Sequence, residues 1–116
     1  RDQIALLEVD IIALEMMVLR ALAAEQRNQT ALDVTGLLKT AGSQIQQRYT
    51  ELMMLAGGPC TLPFLLEAMD AGWQGDQVSW LHLTPLAPMY FNSRKTTIYG
   101  GTNEIQRDIV ARGVMG

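Results

Sequence analysis

The chain of 116 residues has a single cysteine, Cys60, and a single histidine, His82. One cysteine can neither close an internal disulfide nor build a thiolate metal cluster. One histidine leaves almost nothing for a His-based metal site or a Ser-His-Asp triad. Charge is also scarce, at 18% of residues, with 9 Lys and Arg against 12 Asp and Glu and no basic run. The electrostatic footprint of a nucleic-acid or anionic-membrane binder is therefore missing. The most apolar stretch, from 4 to 24, is interrupted by Glu8, Asp10, Glu15 and Arg20, so it falls short of the roughly 20 uncharged residues of a membrane span. There is no initiator Met and no n-region, h-region or cleavage motif. The chain reads as a piece of something longer, and its lone cysteine fits an intracellular setting. What is plentiful is hydrophobic residues, at 48%, enough for one domain with a real core.

Apolar residues Ile4, Leu7, Ile11, Leu14, Val18 and Leu22 recur at helical spacing from 3 to about 27, with no Gly or Pro between them. A second set, Leu6, Ile12, Ala13, Met16, Met17 and Leu19, makes that helix apolar around much of its circumference. Such a helix is expected to be central. After a polar hinge at Asn28-Gln29-Thr30, Thr30 or Asp33 can cap a second helix. Its apolar face runs through Val34, Leu37, Leu38, Ala41, Ile45, Tyr49, Leu52, Met53 and Ala56, opposite Lys39, Ser43, Gln44, Gln47, Arg48 and Glu51. The polar side should meet solvent or a polar interface, and Gly57-Gly58-Pro59 should end the helix. Two long helices on a short link pack antiparallel. A short helix opened by Pro63 is expected over 63 to 71, then an irregular excursion from 71 to 88 that carries Trp73 and Trp80. A packed segment follows from 89 to 98, and a last helix capped by Thr102 or Asn103, with Asn103 and Gln106 as a capping box. The fold class is all-α, an up-and-down helical bundle with an irregular insertion.

Tyr99-Gly100-Gly101-Thr102-Asn103-Glu104-Ile105-Gln106 is the most informative segment. Paired glycines let a ligand approach the backbone, and the helix start behind them offers N–H groups to an anion or developing oxyanion. The plain alternative is a turn between two helices, and no P-loop or dinucleotide fingerprint is present. His82 reads as a surface or structural residue. Glu8 and Glu15 share a face, either as paired carboxylates or as a solvated strip. The seven methionines line a greasy pocket or fill a core. Cys60 has no basic sequence neighbour to lower its pKa and so is not a nucleophile candidate.

The run from Ile98 through Gln106 to Arg107-Asp108-Ile109-Val110-Ala111 closely resembles the C-terminal signature of the flavin-dependent acyl-CoA dehydrogenases. The first helix, and the second with its Leu55-Ala56-Gly57-Gly58 ending, resemble that family's C-terminal bundle. Residues 90 to 97 and the excursion before them are similar to a bacterial branch that includes pimeloyl-CoA-type large subunits. The resemblance implies that residues 1 to 116 are the C-terminal domain of a longer chain, whose N-terminal helical and middle β domains are absent. It implies α,β-desaturation of an acyl-CoA, in which a carboxylate removes the Cα proton and hydride leaves Cβ for FAD. An electron-transfer flavoprotein would accept the electrons, and the assembly would be a homo- or hetero-tetramer. Gly101, Thr102 and Glu104 would touch FAD, Gly57 and Gly58 would approach a flavin bound mainly by another subunit, and Tyr99 and Gly100 would flank substrate and flavin.

Two departures from the family pattern touch the cofactor: Glu104 stands where a Gln is frequent, and Met54 where a Gln commonly reaches the flavin. A third touches the chemistry. Many members carry their catalytic Glu where Gly100 stands, and a Gly has no side chain to take a proton. The base would then lie on a helix before Arg1, or be lost in a non-catalytic scaffold subunit. Gly100's backbone N–H could still polarise the thioester carbonyl. No metal ligand is expected, and the 116 residues alone are expected neither to bind FAD tightly nor to turn over.

Overall fold

The computed structural model describes residues 1–27, 34–75, 80 and 82–115. Four α-helices occur among them: α1 (Asp2–Gln26), α2 (Thr35–Gly57), α3 (Leu86–Ser93) and α4 (Asn103–Met115). Short 3-10 turns cover Gly58–Thr61, Glu67–Met69 and Arg94–Thr97, and no described residue is in a strand. The architecture is all-α. Thr30, Asp33 and the polar hinge lie outside the described residues.

The described chain divides into two compact units, Arg1–Gln46 with Lys95–Gly116, and Gln47–Arg94. Helix α2 contributes residues to both.

In the first unit α1 runs unbroken because nothing between Asp2 and Gln26 costs helical propensity as Gly or Pro would. It meets α2 where a Cβ on Gly42 would stand 3.9 Å from Leu14 Cδ2. Of its apolar residues only Leu7 is buried, while Ile4, Val9, Ile12 and Leu19 are all more than half exposed. The described residues therefore do not surround α1 as its expected central position requires. Gly36 of α2 sits against α4: a Cβ there would come within 3.0 Å of the Gln106 backbone oxygen and 3.1 Å of Val110 Cγ2.

In the second unit the 3-10 turn Gly58–Thr61 closes the end of α2, with Gly58 at φ +59°. Thr61 is 1% exposed, and its hydroxyl lies 2.8 Å from the Gly58 oxygen and 3.1 Å from that of Met54. These are carbonyls a helix end leaves without an internal partner. Gly57 is helical in φ, yet a Cβ on it would collide with the Thr61 methyl group. Only the single 3-10 turn Glu67–Met69 forms where a helix from 63 to 71 was expected. The excursion ends earlier than expected, since α3 begins at Leu86 and takes in Pro88 in its first turn, where a missing N–H is harmless. The last carbonyls of α3 are satisfied by α2: Gln47 Nε2 donates to the Ser93 and Arg94 oxygens at 3.3 and 3.2 Å. Arg94 Nη2 donates back to the Gln47 oxygen at 2.9 Å, and its guanidinium lies 4.4 Å from the Tyr90 ring centre.

What is buried is more polar than the composition suggests. Leu7, Leu86 and Ala87 are buried, but so are Thr40, Ser43, Thr50, Thr61, Thr84, Ser93, Thr96 and Asn103. The polar side of α2 is the side that meets the later segments in both units, the polar-interface outcome of the sequence reading.

Candidate functional site

The signature segment is a turn held in left-handed backbone. Ile98 and Tyr99 N–H groups both return to the Lys95 oxygen, at 2.9 and 3.2 Å, finishing the 3-10 turn. Gly100 and Gly101 follow at φ +69° and +87°, a region that costs an L-residue about 1–2 kcal/mol and a glycine nothing. Thr102 then caps α4, its hydroxyl oxygen accepting from the Ile105 N–H at 3.3 Å while its backbone oxygen accepts from Gln106 N–H at 3.0 Å. The anticipated capping box between Asn103 and Gln106 does not form. With the cap at Thr102, both side chains are one position out of frame for it and are used elsewhere.

Those other uses define the turn. Gln106 Nε2 donates to the Gly100 oxygen at 3.1 Å. Lys39, on the polar side of α2, donates to the Gly101 oxygen at 2.7 Å and to Asn103 Oδ1 at 2.8 Å. Asn103 is buried, and its amide donates to Ser43 Oγ at 3.1 Å; Ser43 in turn donates to the Thr40 oxygen at 2.9 Å. Both turn carbonyls are thus occupied from the side of α2 and α4. There are no cis peptides among the described residues, and in a planar trans peptide the C=O and the following N–H point in opposite directions. The N–H groups of Gly101 and Thr102 therefore face away from Gln106 and Lys39.

The open side is accessible. A Cβ on Gly100 would meet nothing within 4 Å, whereas one on Gly101 would press on Gln106 Nε2. Tyr99 is 56% exposed. Glu104 is exposed in the first turn of α4, and its carboxyl is held below the usual carboxylate range by its own backbone N–H, then by the Thr102 hydroxyl, with smaller help from the positive charges of Arg107 and Lys39.

Tyr99, Gly100, Gly101, Thr102 and Glu104 are brought together in one turn and helix start. Gly57 and Gly58 belong to the other compact unit. Gly58 has open space where a Cβ would stand; the absence of a side chain at Gly57 is required by Thr61, while Leu83 Cδ2 would be in ordinary contact at 3.4 Å. Sequence reasoning missed the supporting residues Lys39 and Ser43. Their i, i+4 spacing on one side of α2 was visible, but nothing local tied them to a turn 62 residues away. No group of three or more metal-binding side chains occurs among the described residues, and no described helix is long and apolar enough to cross a membrane. His82 is an exposed residue edge-on to Trp80.

Among known families, the model described as Acyl-CoA dehydrogenase, C-terminal domain, matches residues 1–115. No curated protein and no solved structure matches.

Proposed function

The chain belongs to the acyl-CoA dehydrogenase family through that family's C-terminal domain, and from this we propose that it forms one wall of the site in which an acyl-CoA is desaturated between Cα and Cβ. Residues 1 to 116 are on this reading the C-terminal helical domain of a longer subunit. The observation that carries it is the Gly100-Gly101 turn, left-handed at both residues, open on one side and held through its carbonyls on the other.

The turn fits a flavin's polar edge. The N–H groups of Gly101 and Thr102 are available to acceptor atoms, and the ionised carboxylate of Glu104 can accept from hydroxyl groups. That carboxylate opposes a phosphate, so the fit favours a hydroxyl-bearing stretch of the cofactor over its pyrophosphate. FAD, when bound, supplies the acceptor for the hydride that leaves Cβ. Gly100 contributes its backbone N–H to the thioester carbonyl and so stabilises charge that develops on that oxygen as the Cα proton is removed. Tyr99 flanks substrate and flavin, and Gly58 lies against a flavin held mainly by another subunit. Gly57 serves that contact only indirectly, by letting Thr61 close the turn.

An electron-transfer flavoprotein is the proposed electron acceptor, in the cytoplasm of a bacterium, and a homo- or hetero-tetramer the proposed assembly. The uncovered apolar side chains of α1 support association. Residues 90 to 97 support a place in the branch with pimeloyl-CoA-type large subunits.

Gly100 also supports a second reading. Having no side chain, it cannot be the base, so the subunit either carries a carboxylate upstream of Arg1 or is a scaffold beside a catalytic partner. Anaerobic titration of the full-length protein with butyryl-, octanoyl- and glutaryl-CoA separates the two. Bleaching of the oxidised flavin band is the outcome expected of a catalytic subunit. Flavin that stays oxidised with every thioester, or is retained only with a co-expressed partner, would mark the scaffold.

A further inference from the structure

We propose that Lys39 and Gln106 are positioning residues for the acyl-thioester and flavin wall: each takes one carbonyl of the Gly100-Gly101 turn, fixing the Gly101 and Thr102 N–H groups on the open side. The inference rests on the reading of this turn as part of the dehydrogenase site.

Two successive left-handed glycines have many other conformations within easy reach, so such a turn is not rigid by itself. It becomes so when each of its peptide planes is pinned. Gln106 pins the Gly100–Gly101 plane through the Gly100 oxygen at 3.1 Å, and Lys39 pins the Gly101–Thr102 plane through the Gly101 oxygen at 2.7 Å. The Lys39 bond is short and charge-assisted, the stronger class of hydrogen bond. Its second acceptor is the side-chain amide oxygen of Asn103, buried at 4% exposure and tied to Ser43. The ammonium is therefore located by α2 and by the first residue of α4 at once.

The charge has a further effect. Both acceptors of Lys39 are neutral, and among the described residues it makes no ion pair. Its field adds to the positive end of α4. A cation drawing on the Gly101 carbonyl polarises that peptide and makes the Thr102 N–H on the far side a better donor. A residue that merely packed α2 against α4 would need neither a charge nor a backbone acceptor in the turn. Gly36, with α4 at van der Waals distance, already serves that packing.

The test uses the full-length flavoprotein and the variants Lys39→Met, Lys39→Arg and Gln106→Leu. Amide hydrogen exchange reads the turn at the Ile105 and Gln106 N–H groups, whose acceptors are both on Thr102. Lys39→Met and Gln106→Leu are expected to speed exchange at these two amides and leave α1 unchanged; Lys39→Arg is expected to restore protection. Gln106→Leu keeps the test open should Lys39→Met fail to fold. With whichever thioester bleaches the parent flavin, both variants are expected to lower kcat about tenfold to a hundredfold, with KM within about twofold and Lys39→Arg recovering most of the loss. Unchanged exchange at Ile105 and Gln106, exchange raised equally in α1, or a loss confined to KM would overturn the proposal. If the parent bleaches with no thioester, the catalytic-subunit reading fails instead, and the exchange result alone decides whether the clamp exists.

Discussion

Single residues in this chain have environments that composition alone would misjudge. Thr40 and Ser43 are both buried hydroxyls on α2, three residues apart, yet they differ in partners. Thr40 Oγ1 has no hydrogen-bond partner among the described residues, whereas Ser43 links the Thr40 oxygen to the Asn103 amide. Thr40→Val keeps the shape and removes a polar group without a partner, so stability should hold or rise, by up to about 1 kcal/mol. Ser43→Ala leaves the Asn103 amide without its acceptor and should lose about 1–3 kcal/mol. Urea midpoints of the two variants check the contrast. Gly57→Ala is expected to destabilise by about 1–3 kcal/mol through overpacking against Thr61, although its φ of −79° suits any residue. A thermal midpoint equal to the parent's would refute that.

Among the elements, α1 was the most legible in sequence: an unbroken helical repeat without Gly or Pro gives its span to within one residue at each end. The turn at Gly57-Gly58 was legible for the same local reason. The segment from 63 to 71 was not, because Pro63 signals a helix start but says nothing about whether the residues after it find a surface to pack on. The start of α4 was misframed by one residue. Thr102 and Asn103 are both good caps, and only the tertiary contacts of Asn103 with Lys39 and Ser43 decide between them. Glu104 gives α4 a pH dependence whose sign is fixed. Its carboxyl is held below the usual range in the folded chain, so its contribution is present above the ordinary carboxylate pKa and lost as pH falls through the lowered folded value. Amide exchange at Ile105 and Gln106, followed as pH is lowered, should show the first turn of α4 loosening at acid pH, and Glu104→Gln should abolish that pH dependence.

At the scale of the whole molecule, the family signature was readable because it is compact in sequence, while its supports were not because they are distant. Exposed apolar side chains are spread over both compact units, Val9 and Ile12 in one and Leu62 and Phe91 in the other at 58 to 69% exposure. Such surface is more than a lone soluble chain ordinarily leaves to water. The 116-residue chain by itself should self-associate and hold no stoichiometric FAD, which sedimentation and the visible spectrum of the purified chain would check; a monomer with bound flavin would contradict both. The bond from Lys39 to Gly101 spans 62 positions, and this has a bearing on synthesis. Lys39 emerges from the ribosome long before the glycines it holds, so α1 and most of α2 can fold while the turn does not yet exist. A chain interrupted between Gly57 and Gly101 has both long helices, α1 and α2, and no turn. The Gly100-Gly101 turn is thus completed only after α1 and α2 have been made.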